Sequence, residues 1–165
     1  MRKLLTSGLA VCAGMVCLPA STSRQAAQLP PKPDYRHDTR YKSLQKFFRK
    51  AGCPAQKYSA VFLETADRND LDWRLLPSIS FIESTGGKAA PNNNLFGWDS
   101  GKAAFDSPAT GIHTVGYRLG HSHLYRDKNV DEILATYNPN ADYAERVKSV
   151  MRQISRVNDS FQPTR

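Results

Sequence analysis

Leu75-Leu76-Pro77-Ser78-Ile79-Ser80-Phe81-Ile82-Glu83-Ser84-Thr85-Gly86-Gly87 is the stretch that decides how this chain is read. Leu75, Ile79 and Ile82 share one stripe of a 3.6-residue repeat, with Leu76 beside them, so the segment reads as an apolar helix. It delivers one acid, Glu83, and stops at a glycine-rich turn. A carboxyl group at a helix end, on the edge of a buried face, is expected to be partly desolvated. Desolvation favours the protonated form, which a general acid needs. Taken alone, the helix better suits a solvated or salt-bridged terminal Glu. The polar loop that follows, closing on Asn94-Leu95-Phe96-Gly97-Trp98, tips the reading towards chemistry.

On the N-terminal side, Asp72 and Trp73 open this helix. Pro77 must fall within its first turns, because proline has no N–H for an interior bond. Before it, Pro54 starts a helix in which Tyr58, Val61, Phe62 and Thr65 recur, leaving at Arg68-Asn69-Asp70. Ser43 is expected to cap a short helix carrying Leu44, Phe47 and Phe48, ended by Gly52. On the C-terminal side, residues 85–106 read as a long active-site loop or small hairpin, and loops of that length in a small domain are commonly functional. Ser107 and Pro108 open the next helix, with Ile112, Val115 and Leu119 facing inward. Gly111, Gly116 and Gly120 on it allow a neighbour to approach closely. Asn129 caps a short helix with Val130, Ile133 and Leu134 that ends at Tyr137-Asn138-Pro139. A last helix, about 141–157, turns Tyr143, Val147, Val150, Met151 and Ile154 to one side. There is neither strand-like alternation nor an internal repeat, so the expected fold class is all-α.

With 165 residues, 40% of them hydrophobic, the chain can build one globular domain of roughly 110 to 140 residues once a leader is set aside. A net charge of +8 and a pI near 9.6 suit an anionic partner: nucleic acid, anionic lipid or an acidic wall polymer. Arg2 and Lys3, the apolar run Leu4–Leu18 and the small-residue exit Ala20-Ser21-Thr22-Ser23 make up a secretory signal peptide. The run is too short for an ordinary membrane span. Val11 and Val16 stand before Cys12 and Cys17, where a lipoprotein would need a small residue. The chain is therefore expected to be exported to the periplasm, cell envelope or extracellular space, with no nucleic-acid partner and no stable membrane insertion. Loss of the leader leaves Cys53 alone, so it reads as a buried packing residue. His121 and His123 lie two apart on a helix and cannot share an ion in the i, i+4 manner, and no metal or cofactor is expected.

An acid at the end of a buried helix, then glycines, an Asn-aromatic loop and late tyrosine pairs resemble the lysozyme-like superfamily. Glu83-Ser84 with Gly86 or Gly87, Asn94-Leu95-Phe96-Gly97, Phe105-Asp106-Ser107 and Tyr143-Ala144-Glu145-Arg146-Val147 are similar to its glucosaminidase branch, glycoside hydrolase family 73, with its mannosyl-glycoprotein endo-β-N-acetylglucosaminidase-like domain. The resemblance spans roughly residues 55–155. It implies cleavage of the β-1,4-linked glycan of peptidoglycan next to N-acetylglucosamine. Glu83 would be the general acid and Tyr143 would steady the developing charge. Ser84, Asn94, Phe96, Gly97, Trp98 and Tyr137 would bind the sugar. Trp98-Asp99 depart from the branch, where an aliphatic residue and a lysine commonly follow the glycine.

The expected division is a signal peptide (1–23), a Pro-rich linker or arm (24–42), a catalytic domain (43–158) and a tail (159–165), acting as a monomer on peptidoglycan strands. Asp99, Asp106, Asp142 and Glu145 are candidates for a second carboxylate, Asp106 being better explained by the helix start that follows it. A 2-acetamido sugar can supply its own nucleophile, so no second acid is expected to matter as much as Glu83. A lytic transglycosylase of the same superfamily, giving 1,6-anhydro ends, and a non-enzymatic wall-binding module are the alternatives.

Overall fold

Helix α3 (Leu75–Ser84) runs through the centre of the computed structural model, which describes residues 33–159. The expected signal peptide, the start of the arm and residues 160–165 lie outside the described residues. Leu75, Leu76 and Ile79 have no exposed surface, and Pro77, Ser78 and Ser80 are buried too. The first turns of α3 are thus enclosed on every side rather than along one stripe, as befits a central helix. Pro77 is the third residue of the helix, where its missing N–H has no intrahelical partner to lose. The helix ends in three successive left-handed residues: Thr85 (φ 53), Gly86 (φ 59) and Gly87 (φ 90). The Gly86 N–H returns to the Ser80 carbonyl at 3.0 Å. A Cβ on Gly86 would stand 2.8 Å from the Cβ of Cys53, so the turn also needs glycine for room.

Around α3 lie α1 (Thr39–Lys50), α2 (Ser59–Arg68), α4 (Pro108–His121), α5 (Val130–Tyr137) and α6 (Ala141–Asp159). Helix α6 packs along α1, α3 and α5, while α4 packs on α2. Tyr143, Val147, Val150, Met151 and Ile154 of α6 are all buried, as their spacing predicts. Phe47, Phe48, Phe62 and Phe81 tie α1, α2 and α3 together, with ring centroids 5.2–5.8 Å apart. The fold is all-α: the regular structure of the described residues is entirely helical. Residues 85–106 form a loop with one 3₁₀ turn, Pro91–Asn93, and not a hairpin. None of the described helices is long and apolar enough to cross a membrane.

Two boundaries differ from expectation. Helix α1 begins at Thr39, capped by Asp38, which accepts the Arg40 N–H at 2.7 Å; Ser43 sits one turn inside and bonds the Thr39 carbonyl. The residues just before it belong to the fold. Tyr35 is buried and donates to Asp67 at 2.9 Å, and Arg40 bridges Asp38 and Asp67. One tyrosine and one arginine anchor this segment, which no periodic pattern could reveal. Pro54 opens a separate 3₁₀ turn, Pro54–Tyr58, ahead of α2. The other helix ends follow their signals: Ser107 accepts the Thr110 N–H, and Asn129 with Glu132 completes a capping box.

The contact of α2 with α4 depends on glycine. A Cβ on Gly116 would lie 2.1 Å from Cγ2 of Thr65 and 3.2 Å from Cδ1 of Leu76. Thr65 cannot simply rotate, because its hydroxyl is hydrogen-bonded to His113 Nδ1 at 2.8 Å. Alanine at an open helical site gains about 1 kcal/mol over glycine, but overpacking costs about 1–3 kcal/mol or more. Gly116→Ala is expected to lower the unfolding free energy by about 2 kcal/mol, as read by urea denaturation.

Candidate active site

Glu83 occupies the last turn of α3, after Phe81 and Ile82 have half emerged from the core. It is exposed, not partly buried as the apolar run suggested, because the helix has left the core by this turn. The ion pairs among the described residues engage other acids, leaving its carboxylate unclaimed by any cation. Gly97 presses against it: a Cβ there would stand 2.7 Å from Glu83 Oε2. With φ at +60°, position 97 requires glycine for its backbone as well.

Asn94 sets where Gly97 sits. Its Oδ1 accepts the N–H groups of Phe96 (3.3 Å) and Trp98 (3.0 Å), and its Nδ2 donates to the carbonyls of Trp98 (3.0 Å) and Ala103 (3.2 Å). Both donors and the carbonyl of the amide are thus committed to the loop. The Ser84 hydroxyl shares its proton between the carbonyls of Ser80 (3.0 Å) and Leu95 (2.9 Å) and accepts the Gly87 N–H. Phe96 is wholly buried, and its carbonyl accepts the Tyr137 hydroxyl. Ser84, Asn94 and Phe96, expected to bind sugar, therefore have their side chains turned into the fold. A glycine-rich loop has little side chain of its own to cover its peptide groups, so its polar residues are drawn inward to satisfy them.

Gly97, Trp98 and Tyr137 do come together. With Asp99, Arg118 and Tyr125 they line an open groove of about 530 Å³. Aromatic rings run from the groove towards the acid: Tyr125 to Trp98 (6.3 Å), Trp98 to Tyr137 (5.8 Å), and Tyr137 stacked parallel on Tyr143 (6.0 Å, 4° between planes). Tyr143 is 5% exposed, and its buried hydroxyl has no protein partner. It stands close to the Glu83 carboxylate, short of hydrogen-bond geometry. Burial first, and then the charge of Glu83, push the phenols of Tyr137 and Tyr143 well above the usual tyrosine range. Both remain neutral donors. Leaving a buried hydroxyl unpaired costs about 1–3 kcal/mol.

Comparison with protein-family models, with curated proteins and with solved structures finds no match for this chain. The geometry must carry the functional reading. Of the four candidates for a second carboxylate, Asp99 lines the groove; Asp106 and Asp142 are exposed at the starts of α4 and α6, and Glu145 pairs with Lys148 at 2.7 Å. Tyr125 and Arg118 belong to the groove but drew no notice in the sequence. Tyr125 lies in an irregular turn with no periodic signal, and Arg118, the one Arg or Lys of α4, stands on its solvent side with no motif around it. Among the described residues no three His, Cys, Asp or Glu side chains gather as a metal site. The arrangement as a whole suits delivery of a proton to a ligand that stacks on aromatic rings.

Asn94→Asp keeps the two accepted bonds but turns a carboxylate oxygen towards two carbonyls. It is expected to destabilise the protein by about 2–3 kcal/mol and to make the 98–103 segment sensitive to limited proteolysis at a temperature where the wild-type loop resists.

Proposed function

We propose that this chain is an exported peptidoglycan hydrolase of lysozyme-like kind, cleaving β-1,4 glycosidic bonds beside N-acetylglucosamine with Glu83 as general acid. The observation that carries the reading is the pairing of Glu83, exposed and outside the ion pairs of the described residues, with the Tyr143–Tyr137–Trp98 run beside it. Sugar rings present apolar faces that stack on aromatic rings and a rim of hydroxyls that take hydrogen bonds. Gly97 lets the glycan approach the acid without a side chain between them. Since the fold leaves Glu83 in water, the bound glycan itself must exclude solvent from the carboxyl group.

In this reading Glu83 gives its proton to the glycosidic oxygen as the C1–O bond breaks. The carbonyl oxygen of the 2-acetamido group closes on C1, forming a bicyclic oxazolinium ion, and Tyr143 steadies the developing positive charge through the lone pairs of its phenol oxygen. Water then adds at C1, the ring opens, and the Glu83 carboxylate takes the water's proton, restoring the acid. The Glu83 carboxylate is close enough for its charge to bear on both Tyr137 and Tyr143, and a nucleophile supplied by the substrate leaves this acid only the proton transfers. The same lone acid also suits attack by the sugar's own 6-hydroxyl. A transglycosylase would leave 1,6-anhydro ends lighter by one water than the reducing ends left by hydrolysis, so the mass of the released fragments separates the two.

Glu83→Gln keeps the shape and removes the proton. It is expected to lower the rate on purified peptidoglycan by about 10²- to 10⁴-fold with an unchanged melting temperature; clearing of a cell-wall zymogram equal to wild type would defeat the proposal. Gly97→Ala should push the Glu83 carboxylate aside and lower kcat by about 100-fold, with a smaller change in KM.

A further inference from the structure

The exposed side of α4 carries a second feature, and it meets the groove at Arg118. Tyr117 is 61% exposed and lies over His121, with ring centroids 4.7 Å apart. Around this pair His113, Arg118 and His123 line a shallow depression of about 630 Å³, and a neighbouring one reaches Arg68. Neither depression is lined by an Asp or Glu among the described residues. Arg118 lines both this surface and the Trp98–Tyr137 groove, and the ion pairs of the described residues do not include it. A guanidinium offers a planar fork for carboxylates, and imidazoles donate further hydrogen bonds. An exposed tyrosine on a histidine gives such a surface a flat apolar floor.

We propose that this face of α4 is a subsite for the free carboxylates of the peptide branches of a peptidoglycan strand whose sugars occupy the groove. It takes from the proposed function only the identity of the polymer; no cleavage step enters it. The sugar backbone of a peptide-substituted strand is uncharged, so an arginine outside the ion pairs of the described residues, on a surface continuous with a sugar groove, discriminates between strands through their branches. Arg118 is the anchor, because it alone reaches both surfaces. Tyr117 and His121 form the floor on which the branch lies.

The test is a titration followed by tryptophan fluorescence at low ionic strength, which reads binding whether or not the protein cleaves. Three soluble ligands are compared: peptide-bearing peptidoglycan fragments, chitin oligosaccharides of matching length that carry neither peptide nor carboxylate, and peptide-bearing fragments whose peptide carboxylates have been amidated. Wild type is expected to bind the free-carboxylate fragments roughly tenfold more tightly than the other two, with the gap closing as salt is added. Arg118→Gln and the double variant Tyr117→Ala/His121→Ala are expected to abolish that preference. Equal affinity of wild type for all three ligands, no binding of the peptide-bearing fragment, or a preference that survives in both variants would overturn the subsite. A protein that shows the preference yet clears no cell wall would instead remove the hydrolase reading and leave the subsite standing.

Discussion

One hydroxyl proton joins the two halves of the site. Ser84, in the last turn of α3, holds the carbonyls of Ser80 and Leu95 together with its single O–H and receives the Gly87 N–H in return. That joint is buried, so it works at low dielectric, where a satisfied polar network is rigid and an unsatisfied one is expensive. It ties the helix that carries Glu83 to the loop that carries Gly97. Asn94 then fixes the loop over the next residues, and Tyr137 reaches from α5 to the Phe96 carbonyl. The acid stays in solvent while everything that locates it lies beneath the surface.

The polar residues of the loop are thus spent on positioning, and in the proposed function recognition falls to rings. Trp98, Tyr125 and Tyr137 face the groove, whereas Tyr143 lies deeper with its hydroxyl unpaired. Rings lose little freedom when they are packed against one another, so they make a floor that is set before any ligand arrives.

Most helix positions and buried faces were legible in the residues, and so were several caps, though not the Asp38 cap of α1 or the 3₁₀ turn at Pro54. The Ser107-Pro108 start, the Asn129 to Glu132 capping box, the Gly52 stop and the inward faces of α4 and α6 each follow a local rule that tertiary packing did not override. The glycines of α4 likewise announced a close neighbour. Less legible was the direction in which a polar loop residue points. Ser84 and Asn94 are the residue types that bind sugars, and they are equally the types that complete the hydrogen bonds of an irregular backbone. Only the neighbouring carbonyls decide between these uses. The exposure of Glu83 escaped for a related reason: an apolar run says that a helix is buried, not at which residue it surfaces. The anchoring of Tyr35 on Asp67 across 32 residues left no local trace at all.

Helix α4 is clamped from behind. Gly116 leaves no room for a methyl group against Thr65 and Leu76, and Gly120 leaves none against the Asn69 carbonyl. With its back seated so closely on α2, the helix has little freedom to slide or roll, so Tyr117 and His121 stay at a set distance from Trp98. The molecule is in this respect a gauge. An extended polymer able to reach both marks gains from each without having to order the protein between them, while a short fragment can touch only one.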